Sequence, residues 1–226
     1  YIEEAYVNVT ENYVELHNTD TSMVVHFRMR LKPDLFNASG IETGAENTGF
    51  GVNIPELKSA VSTANKSDRL AFEIVRDESG KHSIRVLIDD VEEEVLDSVP
   101  TSEPDAPRQQ LDFDHTVCVD RSSLVSATNL FDKSFEIAGG SDKLSLSGDG
   151  VAVEFDFEDS GAELIEDSGI NHSSLFKTEY FEPLSKLRHT VDSVSVSFAT
   201  DYPCIVEAGY SGVEASVLVA PRIEEG

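Results

Sequence analysis

Apolar and polar residues alternate along much of the chain, in "AYVNV", "YVELH", "MVVHFRMRL", "LAFEIV" and "SIRVLI", and again in "LSLSG", "VAVEFDF", "VSVSFA", "CIVEAG" and "ASVLVA". A period of two sends successive side chains to opposite faces of a strand, so the chain reads as strand-rich and built of hairpins. Turn signals separate the runs, as at "DESGK" (77–81) and "SGDG" (147–150). Helical spacing occurs in three places, 55–66, 121–133 and 179–191. In the first, Pro55 stands at an early position; in the second, Asp120 or Ser122 is the expected N-cap. Each helix carries one apolar stripe, expected to pack on a sheet, and an opposite face that is small and polar: Ser59, Ser62 and Asn65; Ser126 and Asn129; Ser185 and His189.

The pattern repeats. The hairpin at 13–27 is followed by "GFGVNIPELKSAV" and the strands "RLAFEIV" and "SIRVLI"; the hairpin at 143–155 is followed by "SSLFKTEYFEPLSKL" and the strands "SVSVSF" and "CIVEAG". Val14 falls opposite Leu144 and Leu57 opposite Leu184, which predicts two copies of one α+β fold. The second copy opens with an additional strand and helix, "HTVCV" and 121–133, whose counterparts would precede Tyr1, so a strand and a helix of the first copy are expected to be missing. The expected organisation is a first domain over 1–94, an extended connector over 95–112 with three prolines and no periodicity, and a second domain over 113–226.

Charge changes the picture next. The chain has 43 Asp and Glu against 17 Lys and Arg, a net charge of -26, spread along its 226 residues. Self-repulsion of that size is tolerable where salt screens it, since the Debye length falls to about 3 Å near 1 M. The composition therefore reads as that of a halophile's cytosolic protein, with an ordinary acidic protein as the alternative. Cys118 and Cys204 each lie in an apolar strand-like run and read as small hydrophobes, not as a disulfide or a metal site. No stretch has the roughly 20 apolar residues that a membrane helix needs, and "YIEEAYVNV" is unlike a signal peptide. The expectation is a soluble cytoplasmic protein without membrane association.

Motifs of catalysis are missing from the sequence: it has no P-loop, no GxSxG, no HExxH and no CxxC. "DFDH" (112–115) and "DSGAELIEDSG" (159–169) are acidic, but neither has the ligand spacing of an EF-hand. The chain is read as a non-enzyme with no metal and no cofactor.

The ending "LVAPRI", the connector "SEPDAP", "GVNIPEL", "SLFKTEYFEPLSKL" and the spacing from "YPCIVEAG" to "VLVAPRI" together resemble the PCNA-type DNA sliding clamp, in particular its haloarchaeal members or a halophilic-virus version. The resemblance covers nearly the whole chain. It implies a two-domain clamp fold with helices on curved antiparallel sheets, three subunits closed into a homotrimeric ring, and a processivity factor that encircles duplex DNA without reading its bases. The implied partners are DNA polymerase, clamp loader, ligase and nuclease, in the cytoplasm of a halophilic archaeal or virus-infected cell.

The resemblance also implies two functional surfaces. One is a groove for short client peptides carrying a Gln, an aliphatic residue and two aromatics, walled by Thr19, Met23, Val24, Val99, Pro100, Pro203, Ala220, Pro221 and Ile223. The other is a DNA-facing helix surface of Lys58, Ser59, Ser62, Lys66, Ser126, Asn129, Lys133, Lys186, Arg188 and His189, where family members are richer in Lys and Arg. So sparse a basic surface predicts weak, nearly salt-insensitive contact with linear DNA. A clamp-fold scaffold or decoy that does not encircle DNA is the alternative function, and an acidic extracellular β-module a more distant one.

Overall fold

The computed structural model describes residues 3–35, 48–65, 67–104, 111–187 and 191–222. The chain divides into two compact units, one of residues 1–20 and 28–106, the other of residues 21–27 and 107–226.

In the first unit, β1 (Glu4–Val9) pairs antiparallel with β2 (Val14–Thr19) and with β4 (Thr48–Asn53), and β3 (Val25–Leu31), which belongs to this unit from Arg28 onward, neighbours β2, giving the order β3-β2-β1-β4. The helix α1 (Ile54–Val61) follows, and then β5 (Leu70–Arg76), β6 (His82–Ile88) and β7 (Val91–Asp97), paired in that order. Alternation puts Ala5, Val7, Val9, Leu16, Phe50 and Val52 on one face of the first sheet, where they meet Ile84, Val86 and Leu96 of the second. Ile54, Leu57 and Val61, one stripe of α1, pack against the same core. The turn at 77–81 closes as its residues require: Gly80 takes φ 87°, and Asp77 Oδ1 accepts from the Lys81 amide at 2.9 Å.

The second unit repeats this plan. It consists of β8 (His115–Asp120), α2 (Arg121–Thr128), β9 (Ser134–Gly139), β10 (Lys143–Gly148), β11 (Val151–Asp156), β12 (Glu163–Asp167), β13 (His172–Lys177), a 3-10 segment (Thr178–Leu187), β14 (Ser193–Phe198), β15 (Cys204–Tyr210) and β16 (Val213–Val219). Its sheet β11-β10-β9-β13 has the order of β3-β2-β1-β4, and the run β14-β15-β16 matches β5-β6-β7. Val14 and Leu144 fall on matching strands, and Leu57 and Leu184 on matching helical segments. Phe135, Phe176, Phe198, Leu124, Leu144 and Leu146 are almost fully buried. Cys204 is among them, and burial pushes its thiol far above the ordinary range, so it is an inert hydrophobe.

One difference between the copies matters. In the second unit β14 pairs with β8, α2 lies against it, and Val194, Val196 and Phe198 are buried. Among the described residues the first unit has no counterpart of β8 and α2, and Leu70, Phe72 and Ile74 on β5 remain 38–44% exposed.

α1 and α2 are shorter than their sequence stretches. α1 ends at Val61, where the Ser62 and Thr63 hydroxyls turn back to the carbonyls of Ser59 and Ala60. α2 ends at Thr128 with Asn129 as its cap. The third helical element is a 3-10 segment, because Pro183 in its middle has no amide hydrogen to give to the preceding turn. β7 continues through Val95, Leu96 and Asp97, residues that the sequence pattern gave to the connector.

Candidate functional site

The tail of the second unit leaves β16 and immediately crosses two other elements. The Ala220 amide donates to the Val24 carbonyl at 2.8 Å, and the Arg222 amide to the Leu175 carbonyl on β13 at 2.7 Å. Pro221, between them, could donate nothing and fixes the bend. Pro203 precedes Cys204, which pairs with Val219 at the end of β16. Four of the groove residues expected from sequence, Val24, Pro203, Ala220 and Pro221, are thus placed around one half-buried surface, with Met23 beside them. Met23 is 76% exposed and adopts φ 56°, so its backbone turns the thioether outward instead of folding it into the loop. Ile223 lies outside the described residues.

The remaining groove candidates belong to the first unit. Thr19 ends β2, half-buried, its amide donating to Asn18 Oδ1 at 2.7 Å. Val99 is half-buried and bridges to Gly51 on β4, its amide 3.0 Å from the Gly51 carbonyl; Pro100 is exposed. The connector therefore begins as an additional edge pairing on β4. That segment and the tail are the same element of the repeat: each follows the last strand of its copy, and each donates one amide to a strand at the edge of its sheet, β4 in the first unit and β13 in the second. No sequence signal in "SVPT" or "APRI" distinguishes this from two unrelated loops.

The helix faces are built by caps. Asn53 accepts from the Glu56 amide at 3.0 Å and starts α1, which has Pro55 in its first turn. Lys58, Ser59 and Ser62 are exposed on the face opposite the apolar stripe. Asp120, not Ser122, is the cap of α2: its Oδ1 accepts from the Ser123 amide and from the Ser122 and Ser123 hydroxyls, each at 2.7 Å. Those hydrogen bonds, Ser122's foremost, hold the Asp120 carboxyl below its ordinary range. Ser126 and Asn129 are exposed on α2, the Ser126 hydroxyl returning to the Ser122 carbonyl at 2.7 Å, and Lys133 is exposed beyond the helix. Lys186 lies in the 3-10 segment; Lys66, Arg188 and His189 lie outside the described residues.

Among the described residues no group of three or more His, Cys, Asp or Glu is placed to hold a metal ion. No described helix is long and apolar enough to cross a membrane.

No family model matches the chain. The chain is 25% identical over 242 residues to DNA polymerase sliding clamp 3 of Sulfurisphaera tokodaii, covering 99% of this chain and 92% of that protein. A solved PCNA2–PCNA3 complex from Sulfolobus tokodaii superposes with a TM-score of 0.80 at 22% identity, over 99% of this chain and 92% of that one. The fold is that of a sliding clamp. The C-terminal region of FEN-1 bound to A. fulgidus PCNA gives a structure of the same likeness, TM-score 0.80 at 18% identity over 100% of this chain and 91% of that one.

Proposed function

We propose that this protein is a DNA polymerase sliding clamp: a homotrimeric, non-enzymatic ring that encircles duplex DNA and docks replication and repair proteins in the groove of Met23, Val24, Pro203, Ala220, Pro221 and Ile223, with Thr19, Val99 and Pro100 as its further wall. The observation that carries it is the alignment of a named sliding clamp along 99% of the chain and 92% of its own length. The open edge of β12 in the second unit, where Ile165 is exposed, and that of β7 in the first are templates for pairing, and a closed ring removes such edges. The FEN-1 segment seated on a clamp of the same fold makes a nuclease tail a natural client here. A net charge of -26 supports the reading of a high-salt cytoplasm, that of a haloarchaeon or of a cell infected by a halophilic virus.

Enclosure, not affinity, holds such a ring on DNA. Lys58 and Lys133 are exposed, but in a chain with 43 Asp and Glu against 17 Lys and Arg their phosphate contacts contribute little. The same scarcity of cations favours a second reading, a clamp-fold scaffold that binds clients without DNA. Light scattering at about 0.1 M and at multimolar salt tests the ring directly. A mass of three chains at high salt is expected; a monomer at every salt supports the scaffold.

A further inference from the structure

We infer that Gly51 sets the height of the connector above β4, while Gly49 leaves room for Tyr6 beside it, and that Gly51 thereby positions Val99 and Pro100 as a wall of the client groove. This rests on the client-docking reading above. In "TGFGVN" the residues alternate: Phe50 and Val52 enter the core, at 5% and 1% exposure, while Gly49 and Gly51 occupy the opposite face. That outer face is not open at Gly51, which is buried beneath the connector.

The approach is too close for any side chain. A Cβ on Gly51 would stand 2.5 Å from Thr101 Cβ, 2.6 Å from the Val99 carbonyl oxygen and 2.7 Å from Thr101 Oγ1. One of these atoms is backbone, so no change of rotamer relieves the clash. On Gly49 a Cβ would collide with the Tyr6 hydroxyl. The two missing side chains form a trough. Tyr6 lies in one end of it, and the connector descends into the other directly after β7.

The descent is fixed by hydrogen bonds. The Ser98 amide still donates to the His82 carbonyl at 3.0 Å, the Val99 amide then donates to Gly51, and Thr101 Oγ1 donates to Glu4 Oε2 at 2.9 Å. Further along, Glu103 comes near enough to Tyr6 that its charge joins burial in raising the phenol above its ordinary range. In the second unit the matching segment crosses at Leu175, which has a side chain, so this close approach belongs to the connector alone. A methyl group on Gly51 would lift Val99, and Pro100 with it, by roughly the 1 Å that separates these distances from ordinary van der Waals contact.

The test uses the full chain, with Gly51→Ala, Thr101→Ala as a milder variant that breaks the Glu4 bond without crowding, and a synthetic FEN-1 C-terminal peptide as probe. Hydrogen exchange at the Val99 and Thr101 amides reads the connector; calorimetry reads the peptide. Gly51→Ala is expected to speed Val99 exchange and weaken the peptide about tenfold, Thr101→Ala about threefold. Exchange in β14–β16 should not change, which a general loss of stability would not spare. Unchanged Val99 exchange in Gly51→Ala overturns the assignment of the glycine. Faster exchange with unchanged peptide affinity overturns instead the client-groove reading, and with it this role.

Discussion

Met23 is held with its side chain in solvent by a left-handed backbone that costs a non-glycine residue on the order of 1 kcal/mol. A flexible thioether presented in this way suits an adaptable contact for varied apolar side chains. Met23→Ala should weaken a FEN-1 C-terminal peptide roughly fivefold while leaving the thermal midpoint unchanged, and Ile223→Ala should do the same; unaltered affinity for both variants, by calorimetry, would refute the groove. His115 is the opposite kind of residue. It is fully buried, neither ring nitrogen has a hydrogen-bond partner, and Asp167 Oδ1 is 3.6 Å from Nδ1, too long for one. Burial lowers its pKa from the ordinary 6.5; Asp167 opposes that shift and the neighbouring His172 adds to it. The unfolded chain therefore takes up a proton below about pH 6.5 that folded His115 refuses, so stability is complete above that pH and declines as pH falls through it. Urea titrations between pH 7.5 and 5 should show this decline, and it should shrink in His115→Gln. The sequence marked Met23 as odd, because a methionine in a turn-rich loop has no core to fill, but gave no sign of His115. "DFDH" looked like a set of carboxylates, and only the pairing of β8 with β12 and β14 puts that histidine inside.

Caps and breakers decide the elements. Asp120 gathers three donors at the start of α2, and Asp120→Ala should cost about 1 kcal/mol in denaturant unfolding, the typical value for an N-cap. A loss under 0.3 kcal/mol would mean that solvent replaces the cap. The strands were legible, since alternation is enforced by one buried face, and the "SGDG" turn appears where Asp149 and Gly150 both take positive φ. Helix ends were not. Ser62, Thr63 and Asn129 continue the polar face of a helical pattern, yet their side chains and caps terminate it. Pro183 was visible throughout, but a periodic stripe of Phe181 and Leu184 survives in a 3-10 segment as it would in an α-helix. The glycines of β4 were equally visible. Their purpose depends on what lies above them, which no local pattern reports.

The molecule as a whole is a duplicated fold, and the duplication was readable because both copies need the same order of buried faces. Matching strand order, β3-β2-β1-β4 with β11-β10-β9-β13, is its structural form. The charge of -26 acts at this scale too: ring assembly should strengthen with salt, because closure brings like charges together that about 3 Å of screening at 1 M separates. Affinity for linear DNA should stay weak and nearly flat with salt; nanomolar binding at moderate salt would contradict the small share given to phosphate contacts. The central claim is enclosure, and loading on DNA addresses it most directly. After incubation with a clamp loader and ATP on a nicked circular plasmid, the protein should co-elute with the circle in high salt and be released when the plasmid is linearised. Failure to stay on the circle, or equal retention on the linear form, would contradict the account.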